Sequence, residues 1–144
     1  MMTPREYLSQ AYRLKDRIRA LSEEIKNMKE LAASVSSPGF DEHYNPNRPQ
    51  EAPFVKALER ISDYEEKLSD RIARLVRLED EIDSVIEQVI DPDERMVLHY
   101  RYINNFTWER IGDLMNADRH TVRRWHERAL NHVKVPEDTA AEGE

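Results

Sequence analysis

An unbroken heptad pattern of apolar residues in the first quarter of the chain constrains the fold more than any other feature. Nine apolar residues follow one another in alternating steps of four and three: Tyr7, Ala11, Leu14, Ile18, Leu21, Ile25, Met28, Ala32 and Val35. This repeat predicts a long helix over residues 3–35 with a narrow apolar seam. Thr3-Pro4 supplies an N-cap and a first-turn proline. Since an isolated helix cannot bury such a seam, the pattern also requires a partner.

Helical periodicity returns over residues 54–90, after a break at residues 36–53 that contains four prolines and one glycine. Glu65 and Glu79 occupy two positions of the second seam, whose apolar members are Phe54, Leu58, Ile61, Leu68, Ile72, Leu75, Ile82, Ile86 and Val89. Three further apolar residues lie beside this seam and can broaden it: Tyr64, Leu78 and Val85. Residues 1–90 are therefore predicted to form a long, coiled-coil-like antiparallel helical hairpin. Its apolar stripes can pair within one chain, between chains, or both.

The chain after this hairpin has the layout of three short helices. Asp91-Pro92 combines an N-cap with a first-turn proline, and Thr107 can cap the next helix. The helices are predicted near residues 92–102, 107–115 and 119–133. We therefore expect an all-α protein in which the hairpin is followed by a helix-turn-helix domain at residues 91–134. The acidic tail at residues 135–144 is predicted to be disordered.

Three residues around the expected turn support a helix-turn-helix. Gly112 lies where the two helices would cross closely, Asn116 tolerates a left-handed turn conformation, and Asp118 can cap the second helix. One core is expected to contain Ile111, Leu114, Met115, Val122, Trp125 and Leu130. The alternative is a helical hairpin that merely packs, but that alternative gives no role to the arginines on the outer face of the last helix.

The charge of the chain is distributed unevenly. The whole chain has a net charge of -7, yet residues 92–134 contain eight Lys and Arg against six Asp and Glu. Within residues 119–134 there are five basic residues and one acid, Glu127. A second helix of this kind can lie in the DNA major groove with its first turns against base edges. The positive charge is therefore placed where contact with phosphates would need it.

Several other classes of protein lack support in the sequence. There is no glycine-rich phosphate loop and no nucleophile motif, so we expect no enzyme. No cysteine and no paired-histidine motif is present, so neither a metal site nor a cofactor is expected. No apolar run approaches the roughly 18 residues of a membrane span, and the N-terminus lacks the apolar core of a signal peptide. A cytoplasmic protein without a membrane partner is the expectation.

From Asp91 to about Lys134 the chain resembles region 4 of bacterial sigma factors. The matching elements are Arg95, Val97-Leu98, Arg101-Tyr102, Thr107, Ile111-Gly112, Asp118-Arg119, Thr121-Val122-Arg123-Arg124 and Ala129-Leu130. The whole chain is similar to a narrower group, the phage-encoded ArpU/RinA-like regulators of late genes. The resemblance implies that early residues of the last helix read DNA bases. The chain departs from the sigma pattern at Asp118, His120 and Trp125, which implies a different base preference.

These observations predict a sequence-specific transcriptional regulator of phage or prophage origin that binds double-stranded DNA. The residues expected to meet DNA are Thr107, Trp108, Arg119, His120, Thr121, Arg123, Arg124 and Arg128. Arg123 and Arg124 are expected to contact guanine or phosphate, whereas Arg128 is expected to meet phosphate. The helical region is expected to form a homodimer or to dock on RNA polymerase. The alternatives are a small-terminase-type DNA-packaging adaptor and a protein that binds RNA polymerase without binding DNA.

Overall fold

The structure, a computed structural model, describes residues 2–35 and 51–137, and these residues contain helices and no β-strand. The helices are α1 (Pro4–Val35), α2 (Glu51–Glu87), α3 (Pro92–Leu98), a π-helical segment (His99–Ile103), α4 (Trp108–Met115) and α5 (Arg119–Leu130). The expected all-α fold, with two long helices followed by a helix-turn-helix, is confirmed. Residues 36–50 of the predicted loop and residues 138–144 of the predicted disordered tail lie outside the described residues.

The second long helix begins earlier and ends earlier than its seam predicts. Residues 51–53, which were expected in the loop, form its first turn. A proline at position 53 is tolerated there because the first turn needs no backbone N–H donors. The helix ends at Glu87, and a turn follows in which the amide of Gln88 donates to the carbonyl of Val85 at 3.2 Å.

Contacts divide the chain into two compact units. One unit is Asp16–Ile72, and the other combines the first 15 residues with the chain from Ala73 onward. In the Asp16–Ile72 unit, α1 and α2 pair within the chain, and Lys29 lies 3.4 Å from Glu65. The predicted division into a hairpin at residues 1–90 and a DNA-binding domain at residues 91–134 stays a prediction.

The two glutamates that interrupt the second seam each face a lysine of α1. Glu65 pairs with Lys29 in one unit, and Glu79 lies 3.6 Å from the half-buried Lys15 in the other. Lys15 also donates to the carbonyl of Ile103 at 3.3 Å. Lys15 therefore compensates the charge of the partly buried Glu79, whereas Glu65 and Lys29 are about half exposed, so water also solvates that pair.

In the larger unit the buried face is broader than either seam predicts. Leu8 of α1 is fully buried although it lies outside the heptad positions. Leu78 and Val85 of α2, expected beside the seam, are also buried. The first turns of α1 contact several elements, since Tyr7 donates to Glu81 of α2 at 2.9 Å and Arg5 pairs with Glu127 of α5. A helix with more than one neighbour must bury more than a narrow stripe.

The three short helices pack around a core of Val97, Ile111 and Val122, with Met115 and Trp125 partly buried against it. Leu130 is buried as expected, but Leu114 is 47% exposed, so its predicted place in the core is wrong. The reason is that α4 approaches its neighbour on the side of Gly112. Leu114 lies on the other side of Ile111 and therefore points away from the core.

Helix caps fix the positions of these helices along the chain. Asp91 accepts from the amide of Asp93 at 2.8 Å, Thr107 from that of Arg110 at 3.1 Å, and Asp118 from that of Thr121 at 2.8 Å. All three caps agree with the sequence prediction. The hydrogen bond from the Thr121 amide also lowers the pKa of Asp118 below its ordinary value, which keeps this cap ionised.

The turn before α5 depends on two backbone positions. Asn116 has a φ of 54° and a ψ of 47°, the left-handed conformation that asparagine tolerates. At Gly112, a Cβ atom would lie 2.5 Å from the backbone oxygen of Ala117. The close crossing that the sequence predicted is therefore confirmed, and only a glycine satisfies it without movement.

Replacing Gly112 by alanine should destabilise the protein. Overpacking against backbone costs about 1–3 kcal/mol, and the better helix propensity of alanine returns about 1 kcal/mol of that. We expect a net loss of up to about 2 kcal/mol in the free energy of unfolding in urea, the difference between these two contributions. Asp113→Ala, at the adjacent exposed position, is the control. A Gly112→Ala variant as stable as this control would contradict the close crossing.

Candidate nucleic-acid interface

The outer face of α5 carries most of the residues that the sequence predicts for DNA binding. Successive residues turn by about 100° around a helix, so the buried Val122, His126 and Ala129 define the inner face. The exposed residues of the opposite face are His120, Arg123, Arg124, Glu127 and Arg128, and Arg119 is exposed at the first position of the helix. The helix therefore presents four arginines and one histidine around a single carboxylate.

Two of these side chains contact neighbours that hold them on the surface. Arg119 lies 3.5 Å from Glu109 of α4, and Arg124 donates to the hydroxyl of Thr121 at 3.2 Å. Both contacts are exposed, so breaking either of them to bind another partner costs little free energy. Both guanidinium groups therefore remain available to a ligand.

Two guanidinium groups lie near the ring of Trp108. The Cζ atom of Arg101 is 4.2 Å from the ring centroid, and that of Arg123 is 5.8 Å from it. The face of an indole ring attracts cations, so Trp108 helps to position Arg123. It also lies at the first position of α4. Arg101 also donates to the carbonyl of Phe106 at 3.0 Å, which fixes it beside the ring.

Thr107 combines a structural and a surface position. Its hydroxyl oxygen accepts the capping hydrogen bond from Arg110, while the residue itself is exposed. A threonine hydroxyl carries one proton to donate in addition to its acceptor sites. The side chain can therefore cap α4 and still donate to a phosphate oxygen.

Arg128 lies close to a buried acid rather than standing alone on the surface. Its Nε atom is 3.7 Å from Glu94 of α3, a residue that is 3% exposed. The same carboxylate lies 2.6 Å from Nδ1 of His132. Arg128 therefore compensates part of the charge of Glu94. This pairing reduces the positive charge that Arg128 can offer to a phosphate.

His126 lies behind the basic face, in a polar and aromatic cluster. Its Nε2 atom is 2.6 Å from the hydroxyl of Tyr102, and its ring meets Trp108 edge-on with centroids 4.8 Å apart. Burial lowers the pKa of His126 from its ordinary value to about 4, and burial also raises the pKa of Tyr102. The histidine is therefore neutral near pH 7 and holds α5 against the π-helical segment.

The sequence prediction of the site omitted Arg5 and Arg101. Arg101 could have been noted because Arg101-Tyr102 is part of the resemblance to sigma region 4. Arg5 carries no such signal, since its ion pair with Glu127 joins residues 122 positions apart. Only the fold brings the start of α1 to the outer face of α5.

Two further features of the described residues concern metals and membranes. No group of three or more His, Asp or Glu side chains in this part of the chain is arranged to hold a metal ion. None of the helices in residues 2–35 and 51–137 is long and apolar enough to cross a membrane.

Comparison with known proteins identifies the segment that contains this interface. Residues 88–135 match the sequence profile of the family described as Sigma-70, region 4, and this stretch includes α3, α4 and α5 entirely. The chain matches no curated protein and no solved structure. The family consists of DNA-binding domains. Residues 88–135 are therefore a helix-turn-helix segment similar to region 4 of the sigma-70 family.

Proposed function

We propose that the protein is a sequence-specific DNA-binding regulator of transcription, of phage or prophage origin, that inserts α5 into the major groove. The observation that carries this proposal is the exposed basic face of α5. The turn between α4 and α5 fixes the orientation of this helix through the Asp118 cap and the close crossing at Gly112. Side chains on the first turns of such a helix reach base edges. The similarity to sigma region 4 supports the same use of the segment.

Individual roles follow from the position of each side chain. Arg123 and Arg124 point outward from the first two turns of α5 and are assigned to base edges, with His120 and Thr121 beside them. Thr107 and Arg119 lie near the starts of α4 and α5, and we assign them to the DNA backbone. Trp108 acts through Arg123 by holding its guanidinium group. Arg128 is assigned to the DNA backbone as well, and its pairing with Glu94 reduces the charge that it offers to a phosphate.

Binding of duplex DNA by the intact chain at several salt concentrations tests this proposal. The affinity should fall with salt, with a slope of about -0.9 for each phosphate that is neutralised. Arg119 and Arg128 are the charged side chains assigned to phosphates, so we expect a slope of about -2 or steeper. A protein that binds RNA polymerase alone would show no such dependence, and absence of duplex binding at low salt would exclude the proposed function.

The Asp16–Ile72 unit offers a reason to consider self-association. Four apolar residues there remain 45–69% exposed although α1 and α2 pair within the chain: Leu31, Val55, Leu58 and Ile72. A homodimer through this unit would cover them, and so would the larger ring of a DNA-packaging adaptor. Sedimentation separates these outcomes, since a monomer or dimer supports a regulator and a ring of eight or more subunits supports packaging.

A further inference from the structure

A cavity of about 470 Å³ lies beside the start of α4 and the outer face of α5. Its lining includes three arginines from three different elements, Arg5, Arg101 and Arg123, together with Trp108 and one acid, Glu127. All of these residues belong to the same compact unit. The fold therefore concentrates positive charge around an accessible space that is much larger than one water molecule, whose share of liquid volume is about 30 Å³.

The charges of this cavity favour an anion. Three guanidinium groups face a single carboxylate, and His126 in the cavity wall is neutral near pH 7 because of its burial. Each guanidinium carries five N–H donors, and the hydrogen bond of Arg101 to Phe106 uses one of them. Guanidinium groups have the planar donor geometry that binds phosphate oxygens in pairs.

Arg5 and Glu127 form an ion pair at the edge of the cavity, and both side chains are more than half exposed. Such an exposed pair contributes little stability, so Arg5 can exchange it for a stronger anion at small cost. Glu127 is also the one acid on the outer face of α5. This carboxylate therefore holds Arg5 away from a phosphate and would itself repel one.

We propose that this cavity is a phosphate-binding site in which Arg5 and Arg101 hold one phosphate group beside Trp108, while Arg123 adds positive charge to the cavity and keeps its assignment to a base edge. Arg101 is positioned in advance by the indole ring. Arg5 joins it when it leaves Glu127. The start of α1, outside the segment similar to sigma region 4, thereby becomes part of the ligand-binding surface.

Two sources can supply this phosphate, namely the backbone of duplex DNA and a phosphorylated small molecule. The DNA source rests on the proposed function and is favoured because the cavity shares Thr107, Trp108 and Arg123 with the predicted DNA-binding residues. The small-molecule source does not depend on DNA binding. Inorganic pyrophosphate is therefore a suitable second probe.

The test compares three variants of the full chain: Arg5→Gln, Glu127→Gln and, as a control, Arg13→Gln. Arg13 lies on the same helix as Arg5, is exposed and does not line the cavity. Binding of duplex DNA is measured by fluorescence anisotropy at several salt concentrations, and binding of inorganic pyrophosphate by titration calorimetry. Melting curves show whether each variant folds.

We expect Arg5→Gln and Glu127→Gln to act in opposite directions. Arg5→Gln should weaken phosphate binding by about threefold to tenfold, as loss of one charged hydrogen-bonding partner does. Glu127→Gln should strengthen it, because the repelling carboxylate is gone. Both variants lose the same ion pair, so a purely structural role would change binding in the same direction in each.

The two probes distinguish the source of the phosphate. If DNA supplies it, Arg5→Gln reduces the salt slope by about 0.9 relative to Arg13→Gln. If a small molecule supplies it, Arg5→Gln weakens pyrophosphate binding and leaves DNA binding equal to that of the control. The proposal is overturned if Arg5→Gln and Glu127→Gln match Arg13→Gln for both probes, or change binding in the same direction. Failure of the wild-type chain to bind DNA would count against the proposed function alone, since pyrophosphate still tests the cavity.

Discussion

Replacing Arg123 and Arg124 together by alanine should reduce the affinity for the preferred DNA site by roughly 100-fold. The reason is that each arginine–base contact contributes about 1–3 kcal/mol, and every 1.4 kcal/mol changes the dissociation constant about tenfold. Both side chains are exposed on α5, so the loss should not come from unfolding. The Cζ atom of Arg123 lies 5.8 Å from the ring centroid of Trp108, and Arg124 contacts the hydroxyl of Thr121. Fluorescence anisotropy with specific and random duplexes measures the effect.

A charge-matched control separates base contacts from general electrostatics. Arg13→Ala with Arg77→Ala removes the same two charges from exposed positions on α1 and α2. That variant should keep the ratio of specific to random-duplex affinity, whereas the Arg123 and Arg124 double variant should bring the ratio close to one. Equal ratios in the double variant and the wild type would show that these arginines do not read bases.

Acid should destabilise the protein through His126. Burial lowers the pKa of this histidine from 6.5 to about 4. The unfolded chain therefore takes up a proton at a higher pH than the folded chain does. Stability from this group is complete above about pH 7 and falls as the pH drops from about 6.5 to about 4, by roughly 3 kcal/mol in total.

Urea unfolding at a series of pH values measures this loss, and His126→Gln is the matched variant. Glutamine does not titrate and can still hydrogen-bond to the hydroxyl of Tyr102. Between pH 6.5 and 4.5 the stability of the wild type should fall more steeply than that of the variant. Parallel curves would mean that His126 is protonated as easily in the folded protein as in the unfolded chain.

Local signals in the sequence predict most of the fold. The heptad repeat predicts α1, and caps such as Asp91 and Asp118 predict where the short helices begin. Gly112 and Asn116 predict the turn, because a close crossing and a left-handed backbone each restrict residue type. These features depend on residues a few positions apart, so a single sequence contains the information needed for them.

Features that depend on tertiary contacts were missed or misplaced. Leu8 is buried and Leu114 exposed because the neighbours of α1 and α4 decide which side of each helix is covered. The ion pair between Arg5 and Glu127 joins distant parts of the sequence, and no periodicity predicts it. No periodicity predicts the burial of Glu94 either, and its contact with Arg128 reduces the charge that this arginine can offer to a phosphate. For the candidate site, the sequence therefore identifies the basic helix but not the residues that position or neutralise it.

Selection of bound sequences from a random duplex pool tests the central claim most directly, because reading of bases by α5 must enrich particular sites. We predict that the wild-type chain enriches a defined sequence and that the Arg123→Ala, Arg124→Ala variant loses the preference at the positions those side chains read. Enrichment of no sequence by the wild type, or of the same sequence by both proteins, would contradict the account.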